Sequence, residues 1–177
     1  PFFDYKSYCK DLDYRSLLKE VLDSGYLIGG PLIDELERKI QSLTSIKNCV
    51  CVANATDAME IIFQYLDLPR DSNILVPAHT MLATASAAKS QWLNPIPVDV
   101  DEESYMLEVN QLKKCNLENV SAIMVTQLNG VVADMEPIKD FCDKNSLLLI
   151  EDSAQGIGAM NNGKHAGSWG VGGCLSF

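Results

Sequence analysis

The 177-residue sequence predicts an α/β fold. Three observations carry this: short apolar runs alternate with longer amphipathic stretches, turn-forming residues bound the runs, and no internal repeat or low-complexity linker breaks the alternation. Short apolar runs between helices suit strands buried on both faces, so a mostly parallel central sheet flanked by helices is expected. A hydrophobic content of 47% is enough for one good core at this length.

The elements follow in order. Leu17, Leu18, Val21 and Leu22 fall on one helical face, and Leu32, Leu36, Ile40 and Leu43 on another. Pro31 suits the first turn of the second helix, and Gly25, Gly29 and Gly30 mark the loop between the two. The expected series is then strand 49–53, helix 57–68, strand 74–76, helix 80–90, strand 95–98, helix 110–115, strand 122–125, helix 137–144 and strand 147–150. Asp134 and Pro137 read as the start of the last helix. The glycine-rich tail GKHAGSWGVGGCLSF suits a tight turn followed by a strand in close contact with another backbone or a ligand.

A formal charge of -10, spread along the chain, argues against a surface that neutralises nucleic-acid phosphates. A small anion can still be held by backbone N–H groups at a helix start, which do not depend on net charge. The six cysteines show no C-x-x-C pair and read as reduced thiols. Cys49 and Cys51, on one face of an apolar strand, are expected in the core rather than as metal ligands, so no metal site is expected. His79 and His165 have no metal or triad spacing, and surface or loop roles are expected for both. No stretch reaches the ~20 apolar residues of a membrane span, and PFFDYKSYCKD lacks the regions of a signal peptide, so the cytoplasm is expected and a membrane is not.

Ligands of parallel sheets bind outside the carboxyl ends of the strands, which directs attention to NATDA, PAHT, QLNG and EDSAQ. Asn54, Ala55, Thr56 and Asp57 stand between a strand and a helix. They form either a phosphate cup or a plain helix cap by Thr56 or Asp57. In LLLIEDSAQGIGA, four apolar residues lead into Glu151 and Asp152, whose side chains must point to opposite faces. A carboxylate buried there needs a cation, and a protonated pyridine nitrogen is one; alternatively Asp152 caps the turn that follows. Ser176 by itself is an ordinary strand serine.

The ordered series GYLIGGPLIDELE, ANATDAMEI, VPAHTMLATASAA, PIPVDVDEESYML, TQLNGVVADMEPI, LLLIEDSAQGIGA and GSWGVGGCLSF resembles the DegT/DnrJ/EryC1/StrS sugar aminotransferases from about Tyr26 onward. The resemblance implies the large domain of a type I pyridoxal-phosphate transferase, incomplete over residues 31–177, behind an N-terminal helix and arm over residues 1–30. It implies that Asp152 pairs with the pyridinium nitrogen and keeps the ring an electron sink, with Gln155 against the 3-hydroxyl. Asn54, Ala55 and Thr56 match the phosphate loop, with the N–H groups of Ala55 and Thr56 as donors, and Ser176 matches a serine that also reaches the phosphate. The implied reaction transfers an amino group from a donor, glutamate, to a nucleotide-linked keto-sugar in a homodimer.

Several positions depart from the family pattern. Ala55 replaces a glycine, which is acceptable where φ is negative. Met81 replaces the aromatic residue that covers the ring. Gln127 and Asn129 replace a histidine and a tyrosine, which predicts altered contacts near the substrate. The Schiff-base lysine of the family follows the Ser176–Phe177 pair by a few residues, and a smaller C-terminal domain lies further on, so both are expected past the last residue here. Lys164, in a turn before the final strand, is no substitute for that lysine. A sugar dehydratase of the same fold and a non-catalytic regulatory relative are the alternatives. A generic nucleotide-binding domain is disfavoured, since neither G-x-G-x-x-G after the first strand nor G-x-x-x-x-G-K-[ST] occurs.

Overall fold

The computed structural model describes residues 4–177. Two N-terminal helices come first, α1 (Tyr5–Tyr8) and α2 (Tyr14–Ser24), then α3 (Pro31–Thr44) and α4 (Ala55–Leu66). Strands and helices then alternate: β1 (Asn73–Pro77), α5 (Leu82–Ser90), β2 (Asn94–Val98), α6 (Val109–Leu112), β3 (Val120–Thr126), α7 (Met135–Lys144) and β4 (Leu148–Asp152). A small hairpin, β5 (Met160–Asn161) and β6 (Lys164–His165), precedes β7 (Gly172–Cys174).

Five strands form one sheet in the order β2-β1-β3-β4-β7, and every pairing in it is parallel. Two prolines, Pro95 and Pro97, sit in β2, which is an edge strand and so tolerates residues that cannot donate to a ladder. The strand order reverses between β1 and β3, and such a switch point opens a crevice at the carboxyl ends of the strands.

Strand alternation sorts the core into two layers. Leu75, Ile123, Val125 and Leu149 pack with Met135, Ile138 and Cys142 of α7 on one face. Ile74, Val76, Met124 and Ile150 pack with Met59 and Phe63 of α4 and Ala87 and Ala88 of α5 on the other. Glu151 therefore shares the α7 face with Leu149, and Asp152 shares the α4–α5 face with Ile150.

Close backbone approach explains the glycine-rich tail. A Cβ at Gly170 would collide with the Leu149 carbonyl, and one at Gly173 would lie 2.7 Å from the Gly167 oxygen. Substitution would push β7 off the sheet, because the obstacle is backbone.

Three expectations need correction. The run Cys49–Ala53 forms no strand: its residues find no ladder partner among the described residues, and the Cys51 N–H instead donates to Glu37 Oε1 at 2.8 Å. β-forming side chains do not hold a strand without a neighbour to pair with. Cys49 and Cys51 are consequently half-buried rather than core. His165 is buried, 1% exposed, with Nε2 accepting the Gly158 N–H at 2.8 Å and Nδ1 against the Ala166 carbonyl, so it organises the hairpin instead of facing solvent.

Candidate functional site

A cavity of about 110 Å³ lies at the switch point, between the start of α4, the start of α5 and the ends of β3 and β4. Five of the seven residues singled out in the sequence line it: Ala55, Thr56, Met81, Asp152 and Gln155. Asn54 and Ser176 do not.

At one wall stands the first turn of α4. Asn54 is its N-cap, and the side-chain oxygen accepts the Asp57 N–H at 2.9 Å, so the cap is Asn54 and not Thr56 or Asp57. The helix begins at Ala55, earlier than expected, and Ala55 is not among the positive-φ residues, so its methyl group is accommodated. The N–H groups of Ala55 and Thr56 find no protein acceptor among the described residues. These are orphan donors at the positive end of a helix dipole, suited to an anion.

Asp152 lines the same cavity. It is only 4% exposed, yet no salt bridge reaches it among the described residues. Its Oδ2 accepts the Thr84 hydroxyl at 2.5 Å, and its Oδ1 accepts the Ala154 N–H at 3.3 Å and the Cys174 thiol at 3.6 Å. Burial first, then the carboxylate of Asp152, push the Cys174 thiol up to about 12, so it stays a protonated donor at neutral pH. A carboxylate offers roughly four acceptor positions, and one on Oδ2 has no donor among the described residues. A cationic N–H entering the cavity would complete the set.

Gln155 is oriented by its neighbours. Its Oε1 accepts the Asn129 N–H at 2.9 Å and its backbone carbonyl accepts the Gly130 N–H at 3.0 Å, and its Nε2 protons find no acceptor among the described residues. Asn129 has φ 54°, a left-handed value that asparagine tolerates, and it thereby turns its N–H onto Gln155. Met81, 61% exposed at the N-cap of α5, borders the cavity with a flexible thioether.

Gln127, expected with Asn129 to alter contacts near the substrate, is not among the residues lining the cavity. Strand alternation turns it to the α7 face, where Nε2 donates to Glu151 Oε2 at 3.1 Å and Oε1 accepts the Ala133 N–H at 2.8 Å. Glu151, fully buried, is a clamp: Oε1 accepts the Trp169 and Gly170 N–H groups at 2.5 and 3.1 Å, and Oε2 accepts that of Gly167 at 2.9 Å. It pins the loop that delivers β7 and Cys174 beside Asp152. Lys164 extends over the Trp169 ring, 4.7 Å from its centroid, on the hairpin rather than in the cavity.

A cavity lined both by orphan amide donors and by an incompletely satisfied carboxylate suits a molecule that carries an anionic group and a protonated nitrogen. The model of the DegT/DnrJ/EryC1/StrS aminotransferase family matches residues 9–177. The chain belongs to this family. A curated relative, the dTDP-3-amino-3,6-dideoxy-alpha-D-galactopyranose transaminase of Aneurinibacillus thermoaerophilus, is 34% identical over 181 residues, covering 100% of this chain and 49% of the relative. A solved DegT/DnrJ/EryC1/StrS aminotransferase from Brucella abortus superposes with a TM-score of 0.90 at 27% identity, over 97% of this chain and 48% of the other. NtdA from Bacillus subtilis, solved with bound cofactor PMP, superposes with a TM-score of 0.80 at 26% identity, over 86% of this chain and 35% of the other. The chain thus spans about half the length of the curated relatives it matches, and its fold is that of the corresponding half of the family's aminotransferases.

Threonines were the signal missed in the sequence. Thr80, Thr84 and Thr126 converge on Asp152 from three different segments. Within VPAHTMLATASAA, the spacing of Thr80 and Thr84 by one helical turn was the only hint.

Proposed function

We propose that this chain is the cofactor-cradling part of a pyridoxal-phosphate-dependent aminotransferase that acts on a nucleotide-linked keto-sugar. The observation that carries this reading is the buried Asp152 carboxylate, with an open acceptor position and no cation among the described residues, lining the same cavity as the unfilled N–H groups of α4. Bound there, pyridoxal phosphate supplies an electron sink for removing and adding the amino group. Ala55 and Thr56 would hold its phosphate by backbone donors, joined by Ser176, which lies two residues past β7. Asp152 would hold the ring nitrogen's proton, the Gln155 amide would donate to the 3-hydroxyl, and Met81 would cover one ring face and exclude water.

On this reading residues 31–177 are an incomplete cofactor-binding large domain, preceded by a helix and arm over residues 1–30. Relatives named as transaminases of nucleotide-linked sugars support the aminotransferase over a dehydratase. Glutamate as donor and a homodimer belong to the same proposal, together with a cytoplasmic setting. Among the described residues no helix is long and apolar enough to cross a membrane. Leu17, Leu18 and Leu22 on α2, which buries none of its residues, offer an apolar face to a second subunit.

The test uses the full-length protein, incubated with glutamate and a nucleotide-linked keto-sugar. Stoichiometric 2-oxoglutarate and aminated sugar are expected, dependent on pyridoxal phosphate. A protein that neither binds the cofactor nor forms these products would overturn the reading.

A further inference from the structure

We infer that Thr126, Thr80 and Thr84 form a one-way chain of hydroxyl donors ending on Asp152 Oδ2, and that this chain positions the carboxylate for the cofactor's ring nitrogen. The inference rests on the cofactor reading above and extends it to three residues outside the cofactor's own contacts with Asp152.

The direction follows from counting protons. An ionised carboxylate only accepts, so in the 2.5 Å contact the single Thr84 proton goes to Asp152. Thr84 then has no proton left for Thr80, and in their 2.6 Å contact Thr80 must donate. The Thr80 proton is thereby used as well, so in the 3.0 Å contact with Thr126 it is Thr126 that donates. Thr84 and Thr80 each accept one hydrogen bond and donate one, and Thr126 heads the chain as a donor. Aligned bonds of this kind polarise one another and strengthen the last donor.

The residues come from parts of the fold that only the switch point unites. Thr126 ends β3, Thr80 lies in the connection from β1, Thr84 is in the first turn of α5, and Asp152 ends β4. Thr84 is fully buried, so its hydroxyl has no competing water, and it stands on α5, whose alanines pack on Asp152's own face of the sheet. Because Thr80 precedes Met81, the chain also links the segment bordering the cavity to the carboxylate. The remaining acceptor position on Oδ2 is therefore held at a fixed angle, beside a strong donor, and it is the one a ring N–H would take.

The test needs a ligand that differs from the cofactor only at the ring nitrogen. The full-length protein, stripped of cofactor, is titrated calorimetrically with pyridoxamine phosphate and with its 1-deaza analogue, in which carbon replaces the nitrogen. Wild type is expected to prefer pyridoxamine phosphate. Thr84→Val should cut that preference about tenfold, the scale of one hydrogen bond to a charged group, while leaving affinity for the analogue unchanged. Thr84→Ser should restore it, and Thr80→Val, one link further away, should cut it about threefold. Equal weakening of both ligands in Thr84→Val would make the threonine a packing residue and overturn the chain, as would an unchanged preference. Should Thr84→Val not fold, Thr80→Val decides, and a wild-type preference in that variant sinks the inference. Wild type that binds neither ligand would remove the cofactor reading itself, a separate failure.

Discussion

Glu151 and Asp152 are neighbours at the end of β4, yet they are solvated by the protein in different ways. Glu151 has four donors on its four acceptor positions, three backbone N–H groups and the Gln127 amide. Asp152, which lines the cavity, has three among the described residues, a hydroxyl, one N–H and a thiol, and stops one short. The difference teaches that a buried carboxylate can serve structure or a ligand according to how many donors the fold supplies. A saturated carboxylate is a staple, and an unsaturated one is half of a binding site.

Breaking the staple should have the largest effect. Glu151→Ala leaves three backbone N–H groups and an amide without acceptors, and a loss of about 3–5 kcal/mol in urea unfolding of the full-length protein is expected. Asp152→Asn should stay within about 1 kcal/mol of wild type when cofactor is absent, since few donors lose an acceptor. Similar destabilisation by both substitutions would erase the distinction.

For ligand binding the ranking should invert. Asp152→Asn is expected to weaken pyridoxal phosphate by about 100-fold, measured by equilibrium dialysis, because it removes the anionic half of a desolvated pair. Undiminished affinity would mean the carboxylate does not face the ring. Gln127→Leu, on the staple's side, should cost about 2 kcal/mol through the orphaned Ala133 N–H and Glu151 oxygen while leaving cofactor affinity intact. A large loss of affinity would return Gln127 to the cavity wall.

The last effect concerns alkaline pH. Burial raises the Cys142 thiol from 9.0 to about 12, and burial with the nearby Asp152 does the same for Cys174. A raised folded value means the folded state keeps a proton that the unfolded state releases. These thiols therefore contribute stability that is full below pH 9 and is lost as pH rises toward 12. Unfolding free energy of the full-length protein should decline across that window, and Cys142→Ala should flatten the decline. An unaltered slope in the variant would remove the thiol from the explanation.

Most of the sheet was readable from local pattern, because β1, β3 and β4 are apolar on both faces and are separated by helices with clear periodicity. The run Cys49–Ala53 misled, since a strand is a relation between two segments and its own side chains say nothing about a partner. The cap of α4 was displaced to Asn54 because several residues in NATD can cap, and local sequence does not choose among them. At the site, Asp152, Ala55, Thr56, Met81 and Gln155 were legible as residues following strands or matching family motifs. The threonine chain was not, because it joins residues 46 and 68 positions apart.

By itself the sequence determined the alternation of strand and helix, the glycines that permit β7 to close against backbone, and the requirement that two adjacent acids face opposite ways. All of these depend on the period of the backbone or on the bulk of a side chain. Only the tertiary structure decided which acid would be saturated and which left open. Donor supply is a property of neighbours brought from distant segments, and no local period encodes it.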